Sequence, residues 1–174
     1  MELGLLVLRL VVGVLFIGHG TQKLFGWYGG HGLSGTAGFF DSLGLRPGSV
    51  HARAAGTAEA LGGLLLVLGL LTPLAAAMII AVMVSAIITV HYRNGVWSTN
   101  GGYEYNLVLI AAAFCIACTG AGEYALDNLF NLGLHGEGWG VAALIAGLLG
   151  GIAAVGCGRS ARREAQGPAH PTGA

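Results

Sequence analysis

The sequence predicts an all-α, polytopic membrane protein, and two observations carry that expectation. Apolar residues make up 55 % of the 174 and charged residues only 9 %, with a mean hydropathy of +0.74. A water-facing surface on a domain of this size takes roughly 25 % charged residues, which this chain does not have. The second observation is length. Five segments, residues 3–25, 52–71, 73–92, 103–119 and 139–157, approach the roughly 20 residues that cross a bilayer core. Continuous apolar runs of this kind suit helices, whose backbone groups pair internally, over strands.

The first segment is too long for the apolar region of a secretory leader and no A-x-A-like site follows it, so no leader is expected. It ends in "GHGTQKLFG", which places His19, Gln22 and Lys23 within five residues. At about 100° per residue, Arg9, Gly13, Phe16, Gly20, Lys23 and His19 share one face. Glycines on that face admit a neighbouring helix, so the face points to protein. Trp27 and Tyr28 then suit an interfacial belt, and "GTAGFFDSLGL" suits a short amphipathic piece on the membrane surface. The glycines of "GWYGGHGLSGTAG" lack the strand–turn–helix setting of a phosphate loop.

The second segment repeats the pattern, with Ala52, Gly56, Gly63 and Leu66 around Glu59. A carboxylate in a span is costly in lipid and points into the bundle. Thr72 suits an N-cap and Pro73 a first helical position, so the second and third segments form a tight hairpin. His91 closes the third, "RNGVWSTNGGY" breaks the chain, and Glu104 opens the fourth. "TGAGEYALD" ends the fourth, and the fifth is followed by a basic, then Pro/Gly/Ala-rich tail, residues 158–174, expected to be disordered.

Five spans put Lys23, Arg46, Arg53, Arg93, Arg159, Arg162 and Arg163 on one side. The opposite loop holds Glu123, Asp127 and Glu137 and no Lys or Arg. The positive-inside rule then gives a cell-membrane protein with a cytoplasmic C-terminus and its N-terminus outside. His19, Lys23, Glu59, His91 and Glu104 fall near the cytoplasmic ends of their spans, where a cavity or an ion-pair network can form. Arg9 lies deeper on the same face. The plainer reading is that Lys23 and Glu104 snorkel to the headgroups and that the deeper charges form a structural ion pair.

"FCIACTG" carries a C-x-x-C, and helical phase puts Cys115 and Cys118 on the side of Glu104, expected to be inward. Redox thiol pairs exploit a helix N-terminus, whereas this one lies at a C-terminus, where the dipole disfavours thiolate. Three cysteines are too few for a disulfide framework, and Cys157 reads as inert. No zinc spacing and no C-x-x-C-H occurs, so neither metal nor haem is expected. A net charge of zero gives no reason to expect nucleic acid.

Taken together and in order, "LRLVVGVLFIGHGTQKLFG", "GFFDSLGL", "AGTAEALGGLLLVLGLLTPLAA", "TVHYRNG" and "GGYEYNLVL" resemble the DoxX family of bacterial membrane proteins, over about residues 5–127. The resemblance implies a transmembrane four-helix bundle over residues 1–127. A loop and a fifth transmembrane helix (128–157) and the tail (158–174) lie beyond that core. It also implies that Arg9, His19, Gln22, Lys23, Glu59, His91 and Glu104 match the family's recurrent polar positions, a pattern without the CIAC pair. Members are linked to membrane redox systems, including subunits of a thiosulfate:quinone oxidoreductase and a complex with superoxide dismutase and a sulfurtransferase.

Three functions compete. The first is an accessory subunit of a membrane redox system, quinone- or thiol/sulfur-linked, with soluble redox proteins as partners. A quinone needs an apolar slot and one or two polar groups, which His19, Lys23 and Glu59 supply. The second is a membrane scaffold whose buried charges only register the helices. The third is a small-solute transporter, against which stands the lack of an evident inverted repeat.

Overall fold

The computed structural model describes residues 2–166, without the side chains of 162–166. Every regular element is helical: α1 (Glu2–Phe25), α2 (Gly32–Ser42), α3 (Gly48–Leu68), α4 (Thr72–Ala86), α5 (Glu104–Thr119), the one-turn α6 (Leu126–Leu129) and α7 (Glu137–Gln166). The chain is an all-α membrane bundle. α1, the stretch Thr72–Asn94 and Glu137–Ala161 are long and apolar enough to cross a bilayer. α5, at 16 residues, spans only about 24 Å. α3 carries His51, Arg53 and Glu59 and lies between α1 and α4.

Glycine sets the helix spacing. A Cβ on Gly13 would lie 2.7 Å from the Gly63 carbonyl oxygen, and one on Gly20 would lie 2.6 Å from that of Gly56. α1 and α3 therefore meet backbone to backbone. The same device joins α7 to α4, where a Cβ on Gly151 would lie 2.7 Å from the Ala81 oxygen. α4 is the central helix, touching α3, α5 and α7, and Ile79 and Ile80 on it are fully buried. Val12, Phe16, Leu66 and Ile116 complete the core around it. Val7, Val11 and Val14 on α1 and Ile145, Leu149 and Ile152 on α7 stay exposed, as lipid-facing residues should.

Three local expectations change. Thr72 is not the cap of α4. The Asp127 carboxylate takes that place, accepting the Leu71 amide at 2.7 Å, the Thr72 amide at 2.9 Å and the Thr72 hydroxyl at 2.5 Å. A carboxylate satisfies more of the orphan amides than a hydroxyl, and it complements the helix dipole. The tail is helical as far as Gln166, into the stretch expected to be disordered from residue 158. Arg, Ala, Glu and Gln are strong helix formers, and extending an existing helix needs no new nucleus. Residues 167–174 of that stretch lie outside the described residues. The amphipathic piece is α2, and it packs on α3 and α1, with Asp41 accepting the Gly48 amide at 2.9 Å.

A cavity at the Lys23–Glu59 pair

A cavity of about 620 Å³ opens where α1, α3, α4 and α5 converge, with α2 and α7 contributing walls. α3 makes room for it with Ala54, Ala55 and Ala58, small residues on the face that also carries His51 and Glu59. Phe16, Phe40, Met83, Leu109 and Val155 supply apolar wall. Into this lining project His19, Lys23, Glu59 and His91, from three different helical segments.

Lys23 and Glu59 form the one salt bridge among the described residues. The Lys23 ammonium donates to both carboxylate oxygens, at 2.7 and 2.5 Å. The Glu59 side chain is 4 % exposed and that of Lys23 25 %. The close approach of Gly20 to Gly56 and Ala60 brings the pair together, since larger residues there would hold α1 and α3 apart. A pair so desolvated contributes little net stability, but removing one partner strands a buried charge.

The two histidines are tied from outside the cavity. His19 Nδ1 lies 3.2 Å from Gln22 Oε1, and the Gln22 amide nitrogen donates to the Tyr28 carbonyl at 3.3 Å. Gln22 thus stands behind His19 and is not itself a wall residue. His91 closes a five-residue π-helical turn, Ile87–His91, that continues α4. Such turns recur at functional sites. Its Nδ1 donates to the Gly101 carbonyl at 2.7 Å. Glu104 accepts the Ser98 hydroxyl, and it is Ser98 that borders the cavity.

The structure separates other residues that the sequence groups together. Arg9 shares the α1 face with Lys23 but lies at the far end of the bundle, since fourteen helical residues span about 21 Å. It is 1 % exposed and donates to the Ala121 and Tyr124 carbonyls, the latter at 2.7 Å. Its role is to tie α1 to the chain after α5, within the "GEYALD" stretch whose Asp127 caps α4. The thiols do not face the cavity together. Both are free; Cys115 is exposed on the outside of α5, and Cys118 is half-buried against Gly140 of α7. The buried face of α5 is Asn106, Leu109, Ala113, Ile116 and Ala117. Glu104 was therefore a poor reference direction, being turned to the loop at Ser98.

Sequence reasoning missed Asn106, His51 and Asp127. Asn106 is 5 % exposed, borders the cavity and donates to Met83 Sδ at 3.3 Å. An amide two residues into an apolar helix was the available signal. His51 joins the cavity only because α3 begins at Gly48, earlier than hydropathy indicates.

The DoxX family model matches residues 4–92, and the model described as "TQO small subunit DoxD" matches residues 54–144. The chain is 32 % identical over 126 residues to a Bacillus subtilis (strain 168) protein named "Putative oxidoreductase CatD", covering 72 % of this chain and 86 % of that one. No solved structure matches.

Proposed function

Because this chain belongs to the DoxX family of multi-pass membrane proteins, we propose that it is an accessory subunit of a membrane redox system whose cavity takes a lipid-soluble quinone. The observation that carries the reading is the cavity itself: about 620 Å³ of largely apolar space placed against a buried Lys–Glu pair and two histidines. A pair that served only to register helices would be packed over, with no space beside it. The volume falls within the range of small-molecule sites, and apolar walls with a few polar groups are their usual lining. Leu15 on α1 and Tyr105 on α5 line the cavity and are about half exposed, and these two helices scarcely touch. That supports access from the lipid, which suits a hydrophobic ligand.

The likeness to the TQO small subunit DoxD family and to the putative oxidoreductase CatD supports a redox setting. His19 and His91 would exchange protons with the quinone oxygens, and Lys23 would hold one oxygen while Glu59 neutralises it. Reduction of the quinone to its dihydroxy form takes two electrons with two protons, and both electrons would come from a partner protein. Residues 1–127 form the core in this reading, with α7 as the added helix. The C-terminus lies in the cytoplasm, which fusions of a reporter at residues 130 and 174 should confirm by reporting opposite compartments.

The test is direct. Protein purified in lipid nanodiscs should carry stoichiometric quinone by mass spectrometry, and Glu59→Gln and His19→Ala should lose it. At matched membrane abundance both variants should lower tolerance to oxidative and thiol stress. Unchanged tolerance in both, beside a clear defect on deletion, would assign the protein to scaffolding.

A further inference from the structure

Resting on the cavity reading above, we infer that His19 and His91 offer the cavity a hydrogen-bond acceptor at Nε2, that Gln22 is the positioning residue which sets this for His19, and that the site therefore takes the reduced, dihydroxy form of a quinone in preference to the dicarbonyl form. The argument begins at Tyr28. A backbone carbonyl can only accept, so the Gln22 atom 3.3 Å from the Tyr28 oxygen is the amide nitrogen. That leaves Gln22 Oε1 towards His19 Nδ1, at 3.2 Å. An amide oxygen also only accepts, so Nδ1 bears the hydrogen. A neutral imidazole has one N–H, and Nε2 of His19 is then a lone pair.

His91 reaches the same state by one step fewer. Its Nδ1 lies 2.7 Å from the Gly101 carbonyl, which Asn94 also engages at 3.2 Å. Neither ring has a second partner at Nε2 among the described residues. Both side chains line the cavity.

The loop after α1 is shaped around Gln22. Tyr28 has a φ of 52°, a left-handed conformation costly for a bulky residue, and the loop persists in it. A Cβ on Gly30 would lie 2.6 Å from the Gln22 Cα and Cβ, so the chain folds directly over Gln22. The Gly26 amide donates to the Gln22 carbonyl at 3.2 Å. The glycine-rich "GWYGG" thus holds a carbonyl against the Gln22 amide, and the amide fixes the imidazole.

The chemistry of the occupant follows. A dicarbonyl quinone has only acceptor oxygens, and against two Nε2 lone pairs it meets acceptor with acceptor. The donors elsewhere in the lining, among them the third N–H of Lys23, the other two being spent on Glu59, and the second N–H of the Asn106 amide, serve either form alike, so the two rings make the difference. The dihydroxy form donates an O–H to either ring.

Two measurements test this. In nanodiscs at pH 8, nitrogen-15 NMR of labelled histidine should show the Nδ1–H tautomer for His19 and His91, assigned by the His19→Ala and His91→Ala variants. Gln22→Leu should move His19 towards Nε2–H and leave His91 unchanged, and Gln22→Glu, which keeps an acceptor beside Nδ1, should restore it. A merely structural Gln22 would not move the tautomer, and an Nε2–H signal for His19 in the parent overturns the inference. Calorimetric titration with decylbenzoquinone and its chemically reduced form, under anaerobic conditions, should give about tenfold tighter binding of the reduced form, a preference of the size of one hydrogen bond. Gln22→Leu should narrow that preference and Gln22→Glu retain it. Equal binding of both forms overturns the inference and leaves the quinone cavity standing. Binding of neither overturns the cavity reading and the inference with it.

Discussion

Replacing Lys23 by Met removes the cation from Glu59 and keeps the apolar stem. The Glu59 carboxylate, 4 % exposed, is then left in an apolar wall without the ammonium that donates to both its oxygens. Breaking a buried pair in this way costs roughly 3–5 kcal/mol, because the remaining charge has lost its compensation. Since Lys23 is 25 % exposed and the pair borders the cavity, the lower end of that range, about 3 kcal/mol, is expected. For a chain of this length 1 kcal/mol moves Tm by roughly 2–4 °C, so Lys23→Met should melt roughly 6–12 °C below the parent. The double variant Lys23→Met, Glu59→Gln carries no charge at the pair and should recover to within about 1 kcal/mol of the parent, since a neutral pair avoids the desolvation cost. The assay is thermal unfolding in one detergent, followed by size-exclusion fluorescence, on all four corners of the double-mutant cycle. If Lys23→Met melts with the parent, or if the double variant is no more stable than Lys23→Met alone, the pair is not coupled as described.

Asp127→Ala should destabilise the bundle by about 2–4 kcal/mol, read by the same melting assay, because two amides and a hydroxyl at the start of α4 lose their acceptor. Asp127→Asn should retain part of that stability. Gly20→Leu should force α1 from α3, since even a Cβ would lie 2.6 Å from the Gly56 oxygen. A cost of about 1–3 kcal/mol and loss of quinone binding are expected together; binding without loss would show that the seam does not position Lys23. Cys115→Ser, on the outer face of α5, should leave stability within about 0.5 kcal/mol and stress tolerance unchanged.

Hydropathy was enough to establish a helical membrane protein and to place four of the five long helices within a few residues, the fifth running nine residues past its expected end, because lipid leaves the backbone no alternative to internal hydrogen bonds. Helical phase was enough to turn Lys23 and Glu59 inward, since both sit among glycines and alanines that only a second helix can fill. Phase and rise along one helix, however, put Arg9 on the same face and deeper than Lys23, but they say nothing of its neighbour. Arg9 was grouped with the polar residues by its face, and it proved to lock the opposite end through two backbone carbonyls that no side-chain pattern announces. Cys115 and Cys118 were misplaced for a related reason: the buried face of α5 is fixed by α4 and α7, which pack on it. Asp127 lies 55 positions from Thr72, and only the folded chain brings its carboxylate to the α4 N-terminus. The cavity was the least legible feature of all, because it is space left by six helices at once, and a sequence encodes side chains but not the volume they fail to fill.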